Sequence, residues 1–234
     1  MSFQPSQFGS PSQMGVRPAA ALSASFLTQA FTWMFAGLLL TAAVSAFVSG
    51  SEQLLRFAAD FFLFAVIGQL ALVVVISAGI NKIGATVALG LFFVYAATLG
   101  LTVGLITAQY TLPSVATAFL SAGAMFGGAA LYGATTKRSL VGIGGFLTMG
   151  VIGLIVASVV NIFLVSGPLG WIISFAGVAI FTVLTAYDVQ RISSGDLAAQ
   201  YGSMEKAAVI GALRLYLDFI NIFLFLLRLF GNRR

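Results

Sequence analysis

Six acidic side chains, Glu52, Asp60, Asp188, Asp196, Glu205 and Asp218, hold most of the chemistry open to this 234-residue chain, because histidine and cysteine are both absent. Their absence removes disulfides, thiolate nucleophiles, His- or thiolate-ligated zinc, Ser-His and Cys-His sites and the usual neutral-pH switch. Any proton sensing falls to carboxylates. Glu52, Asp196 and Glu205 fall in predicted loops, where a charge is ordinarily solvated. Asp60 lies near the N-terminal mouth of a predicted helix, where the helix dipole favours an anion; a place in an ion vestibule is the other reading.

Asp218 is different. It sits about midway along the apolar run Ala207 to Phe230, at a depth where a carboxylate costs roughly 2.5–3.5 kcal/mol on insertion scales. Such a residue is a functional-site candidate by default. Arg214 precedes it by four residues and Asn221 follows by three, so the three share one helix face. An Arg214–Asp218 pair that only fixes helix orientation is the alternative. Asp188 stands near the C-terminal end of another apolar run, within Thr185-Ala186-Tyr187-Asp188-Val189-Gln190-Arg191. Exposed carbonyls at a helix C-terminus are hostile to an anion, and Arg191, one turn on, could compensate. The alternative here is an interfacial Asp188–Arg191 pair.

The elements that must position these residues are membrane helices. Hydrophobic residues make up 60% of the chain and charged ones only 7%, against about a quarter charged in soluble domains. So few charges could not solvate the surface of a water-soluble domain. Apolar stretches near 27–48, 57–79, 84–107, 113–134, 141–165, 169–189 and 207–230 each reach the roughly 20 residues a span requires. They are continuous rather than alternating, which excludes a β-barrel. The reading is an all-α integral membrane protein of about seven spans, with residues 25–234 as one membrane domain. Residues 1–24, rich in Ser, Gln, Pro and Gly, are expected to be a disordered tail and lack the basic start and apolar core of a signal peptide.

The net charge of +5 reflects topology rather than nucleic-acid binding, since no basic stripe tracks phosphates. Arg17, Lys82, Lys137, Arg138, Arg191 and Lys206 fall on the side of the tail, and Arg56, Arg233 and Arg234 on the other. That count puts the N-terminus in the cytoplasm and the C-terminus outside. A re-entrant last helix would put both ends inside. Gly100-xxx-Gly104 and Gly123-xxx-Gly127 provide for close helix approach, within one monomer or across a homo-oligomer seam.

Two segments carry a resemblance. TAYDVQRI at 185–192 and GALRLYLDFINIFLFLLRLFG at 211–231 resemble the Bax inhibitor-1-like family of transmembrane proteins, and the loop from Tyr132 to Leu140 is similar to that of its bacterial branch. One departure is visible: bacterial members usually read TTKRDL, and here Ser139 replaces the aspartate. The resemblance implies seven helices with the last surrounded by the others. It also implies that Asp188 and Asp218 face each other as a pH-sensitive latch on a calcium leak in the bacterial cytoplasmic (inner) membrane. Two close carboxyl groups in a poorly hydrated site cannot both ionise cheaply and would share a proton. Calcium takes six to eight oxygens, and two carboxylates with Asn221, Tyr187, backbone carbonyls and water make a weak, transient site suited to passage rather than storage. No resident cofactor is expected.

A rival reading makes the chain a regulator of a membrane-bound protease or quality-control machine, with the N-terminal tail as its handle, as the resemblance to some bacterial relatives implies. An enzyme is not expected, since GxSx with a base, HExxH and a P-loop are all missing. A retinal photoreceptor fails too, because Lys82, Lys137 and Lys206 all lie at predicted helix ends.

Overall fold

A bilayer leaves no water for unpaired backbone groups, so continuous apolar segments must become helices. In a computed structural model, which describes residues 20–233 with side chains from Ser25 onward, they do. The helices are α1 (Ala20–Ser49), α2 (Glu52–Asp60), α3 (Phe62–Gly79), α4 (Ala85–Thr107), α5 (Leu112–Thr135), α6 (Gly144–Leu164), α7 (Gly167–Ser193), α8 (Asp196–Tyr201) and α9 (Met204–Phe230). Seven of them, all but α2 and α8, are long and apolar enough to cross a membrane. The protein is an all-α integral membrane protein. Residues 1–19, most of the segment read as a tail, lie outside the described residues.

Two elements depart from the sequence expectation. The second span was expected from residue 57, but the chain breaks at Phe61 and the spanning helix starts at Phe62. The nine residues of α2 hold Glu52, Arg56 and Asp60, charges that hydrocarbon does not tolerate, so α2 forms a separate amphipathic helix. Ser51 caps it by accepting from the Leu54 amide at 3.5 Å, and an exposed Glu52–Arg56 pair at 3.6 Å lies one turn apart. Asp60 therefore closes α2 instead of opening the spanning helix. The other departure is α7, expected to stop at residue 189 but continuous to Ser193. After it, α8 runs back towards α9 between two left-handed glycines, Gly195 and Gly202.

The last helix is the centre of the bundle. Within its spanning window 72% of residues are buried, against 44% for α7 and 11% for α3, so α9 takes the role that a core plays in a soluble domain. It packs against α1, α4, α5, α7 and α8. Lipid supplies no hydrophobic drive between helices, so close packing and interhelical hydrogen bonds must hold them. Thr41 on α1 donates to the Ala96 carbonyl on α4 at 2.8 Å. That uses its only proton, so the buried Tyr216 hydroxyl of α9 must donate to Thr41, 2.5 Å away. One hydroxyl pair thus ties three helices together. The outlying α3 is held by Gln69, whose amide donates to the Thr98 carbonyl at 3.0 Å and the Thr102 hydroxyl at 2.9 Å on α4. Beyond α9 the chain is pinned to the α4–α5 connection, where the Thr111 amide donates to the Asn232 carbonyl at 3.0 Å.

The two glycine pairs serve differently. A Cβ at Gly100 would fall 2.6 Å from Val44 Cβ and 3.0 Å from the Thr41 carbonyl on α1, whereas Gly123 and Gly127 face open space. Gly100→Val should destabilise the protein by about 1–3 kcal/mol through overpacking, while Gly123→Val should leave it nearly unchanged. Thermal unfolding of the detergent-solubilised variants measures both, and equal losses would contradict the α1–α4 seam.

Candidate functional site

Asp188 and Asp218 are placed by the two most buried helices. In α7, Ser166 caps the start by accepting from the Leu169 amide at 3.4 Å, and a continuous buried face of Ile173, Gly177, Phe181, Thr185 and Ala186 leads to Asp188. Because α7 runs on to Ser193, Asp188 lies more than a turn inside the helix, away from the terminal carbonyls where it was expected. In α9, Ser203 caps the start by accepting from the Lys206 amide at 3.4 Å. Asp188 is 3% exposed and Asp218 1% exposed, so both carboxyls are shut off from water.

The ion pair is not one of those weighed from the sequence. Arg214 donates from Nη1 to Asp188 Oδ1 at 3.1 Å, crossing from α9 to α7 instead of pairing with Asp218 along its own helix. Asp218 lies within electrostatic reach of both Asp188 and Arg214, but its Oδ2 is buried without a hydrogen-bond partner. The alternative Asp188–Arg191 pair does not form: Arg191 donates to Gln200 Oε1 at 2.7 Å and lies over the Tyr187 ring, 5.7 Å from its centroid. Its charge reaches Asp188 only through space.

The other supporting residues divide. Asn221 donates to the Leu217 carbonyl on its own helix at 2.8 Å, so its amide is satisfied locally. The Tyr187 hydroxyl rests against Gly144 on α6, where a Cβ would fall 2.5 Å away. Residues that sequence reasoning missed complete the site. Tyr201 of α8 sets its hydroxyl against Arg214. Gln190 clips the α5–α6 loop to α7, donating to the Arg138 carbonyl at 2.8 Å and accepting from the Leu140 amide at 2.7 Å. Ser139 is exposed between those two anchors. A Cβ at Gly133 on α5 would collide with the Ala186 carbonyl, so α5 and α7 touch through backbone two residues before Asp188. Among the described residues no three acidic side chains cluster. A calcium ion here would have to draw most of its oxygens from carbonyls, hydroxyls and water.

The cluster thus holds one guanidinium for two buried carboxyl groups. A buried charge is tolerated only when balanced, and Oδ2 of Asp218 is left without a hydrogen-bond partner. Fold and site together define an integral membrane protein built around an intramembrane ionisable cluster. The chain belongs to the Bax inhibitor-1-like family: the family described as "Inhibitor of apoptosis-promoting Bax1" matches residues 23–234. It is 44% identical over 225 residues to the inner membrane protein YbhL of Escherichia coli K12, covering 94% of this chain and 96% of that protein. It is also 42% identical over 211 residues to a protein of Deinococcus radiodurans (90% and 91%), and 41% identical over 215 residues to one of Borreliella burgdorferi (89% and 92%).

Arg214→Gln strands Asp188 without its cation and should cost about 3–5 kcal/mol, the range for breaking a buried pair from one side. Asp218→Asn leaves the Arg214–Asp188 pair intact and should cost much less. Thermal stability of the two variants decides between this pairing and an Arg214–Asp218 pair, for which both substitutions would break the pair from one side and the two losses would be comparable.

Proposed function

We propose that the protein is a calcium leak of the bacterial cytoplasmic membrane, controlled by a proton that Asp188 and Asp218 share. One observation carries this reading: two buried carboxyl groups are served by a single guanidinium, at the junction of the central helix with α7. The charge of such an arrangement depends on one proton, which a passive ion pair would not need. With the proton present the cluster is neutral. Without it the cluster carries one net negative charge in a low-dielectric site, where the extra charge must be balanced by a cation or relieved by admitting water. Calcium meets that need, and with few fixed oxygens at hand it would be held weakly enough to leave. The membrane assignment is supported by the Escherichia coli relative, an inner membrane protein, and the orientation by the basic residues of the connections.

Charge counting makes the test specific. In Asp188→Asn, Arg214 has only Asp218 to balance; in Asp218→Asn it keeps Asp188. Neither variant needs the shared proton. Calcium flux into proteoliposomes, followed across a pH series around neutrality, should depend on pH in the parent and lose that dependence in both variants. An unchanged profile in two well-folded single variants would eliminate the shared proton as the control. A parent that passes no calcium at any pH would eliminate the leak and favour a role in regulating membrane-bound machinery.

Orientation has its own check. A reporter fused after Arg234 should register on the outer side and one in the Lys137–Arg138 loop in the cytoplasm. Cytoplasmic signals from both would overturn the proposed orientation.

A further inference from the structure

At the opposite end of α7 from Asp188, the start of that helix and the end of α9 form a half-open cavity of about 280 Å³. Gly167, Gly170 and Trp171 line one wall, and Arg228 and Arg233 the other. Gly170 shapes it. A Cβ there would fall 2.6 Å from the Arg228 guanidinium, so only glycine lets the arginine lie across the helix at this point. Arg233 is equally placed: it follows the pinned Asn232, whose amide donates to Ser114 Oγ at 3.0 Å, forms the bridge to Tyr110, and sets its guanidinium 5.8 Å from the Tyr110 ring centroid. Two held cations therefore face one cavity. Among the described residues neither is within 4.0 Å of a carboxylate, the ion pairs being Glu52–Arg56 and Arg214–Asp188.

Two exposed guanidiniums that line one cavity with no acid beside them among the described residues attract an anion, and paired guanidiniums fit phosphate oxygens well. The surroundings name the source of the phosphate. Arg228 stands in the last turn of a spanning helix, the level of the lipid headgroups. Trp171 lines the cavity and is exposed, and it packs on exposed Phe175, 5.9 Å away and one turn deeper in the bilayer. A polar head at the arginines and an apolar strip descending from them match a phospholipid. We propose that this cavity is a binding site for an anionic phospholipid, its phosphate held between Arg228 and Arg233 and an acyl chain lying along Trp171 and Phe175. The site is separate from the aspartates and does not rest on the calcium reading.

The chain contains two tryptophans, Trp33 and Trp171, so Trp33→Phe in the full-length protein makes Trp171 a local probe. Its fluorescence is measured in phosphatidylcholine vesicles containing either brominated phosphatidylglycerol or brominated phosphatidylcholine. Trp171 should favour the anionic lipid by about thirtyfold, the scale expected for two cations near a membrane surface. Arg228→Gln with Arg233→Gln should bring the two lipids to parity, while Arg228→Lys with Arg233→Lys should keep most of the preference. Gly170→Ala retains every charge but displaces the guanidinium, and should weaken the preference several-fold; it decides the matter if the glutamine pair fails to insert. Inorganic phosphate, added at the ionic strength of a chloride control, should not relieve the quenching. Equal quenching in the parent, a preference untouched by the glutamine pair or, where that pair fails to insert, by Gly170→Ala, or displacement by free phosphate would each overturn the lipid site.

Discussion

A charged group inside a bilayer must find its balance within the protein, and Arg214 is the point at which this bundle meets that demand. Its guanidinium crosses from α9 to Asp188 on α7 and leaves the Asp218 carboxyl without a cation of its own. The rest of the architecture protects this arrangement. The central helix is kept from lipid by α1, α4, α5 and α7, and α8 folds back so that Tyr201 reaches Arg214 and Gln200 draws Arg191 aside. Were Arg191 free to pair with Asp188, two guanidiniums would serve two carboxyls and no proton would be needed. The hydrogen bond from Arg191 to Gln200 is therefore as much a part of the acid pair's chemistry as the bond from Arg214.

The packing around that point follows from the absence of a hydrophobic drive in lipid. Close backbone approach at Gly133 and at Gly100 replaces large interdigitating side chains, and the Ala96–Thr41–Tyr216 hydrogen-bonded chain and the Gln69 clamp supply direction. These devices are unevenly spread: α9 is held on many sides, whereas α3 meets the bundle chiefly through α4 and Gln69.

Much of this was legible in the sequence because the signals were long or costly. Continuous apolar runs announce spanning helices, and a mid-run aspartate such as Asp218 stands out because little else explains its expense. What was not legible depended on direction and on short elements. Arg214 lies four residues before Asp218, so spacing alone allows a pair along one helix; only the packing of α9 on α7 turns it towards Asp188. Residues 57–60 read as part of a span because Phe57 and Ala58 continue the apolar pattern, although Arg56 and Asp60 flank them too closely for hydrocarbon. The length of α7 was underestimated because its last turn, Gln190 to Ser193, is polar, and that turn is what carries Asp188 away from the helix end. Tyr201, Gln200 and Gln190 gave no signal, since a six-residue helix and a loop clamp are too short to show a periodicity.

The central claim, one proton on two carboxyls sharing one arginine, can be observed without reference to transport. Infrared spectra of the reconstituted protein across a pH series should show a single carboxylic-acid C=O band that titrates in the parent and disappears in both Asp188→Asn and Asp218→Asn, because either substitution leaves one carboxylate for one guanidinium. A parent with no such band, or a band that survives unchanged in both variants, would contradict the account.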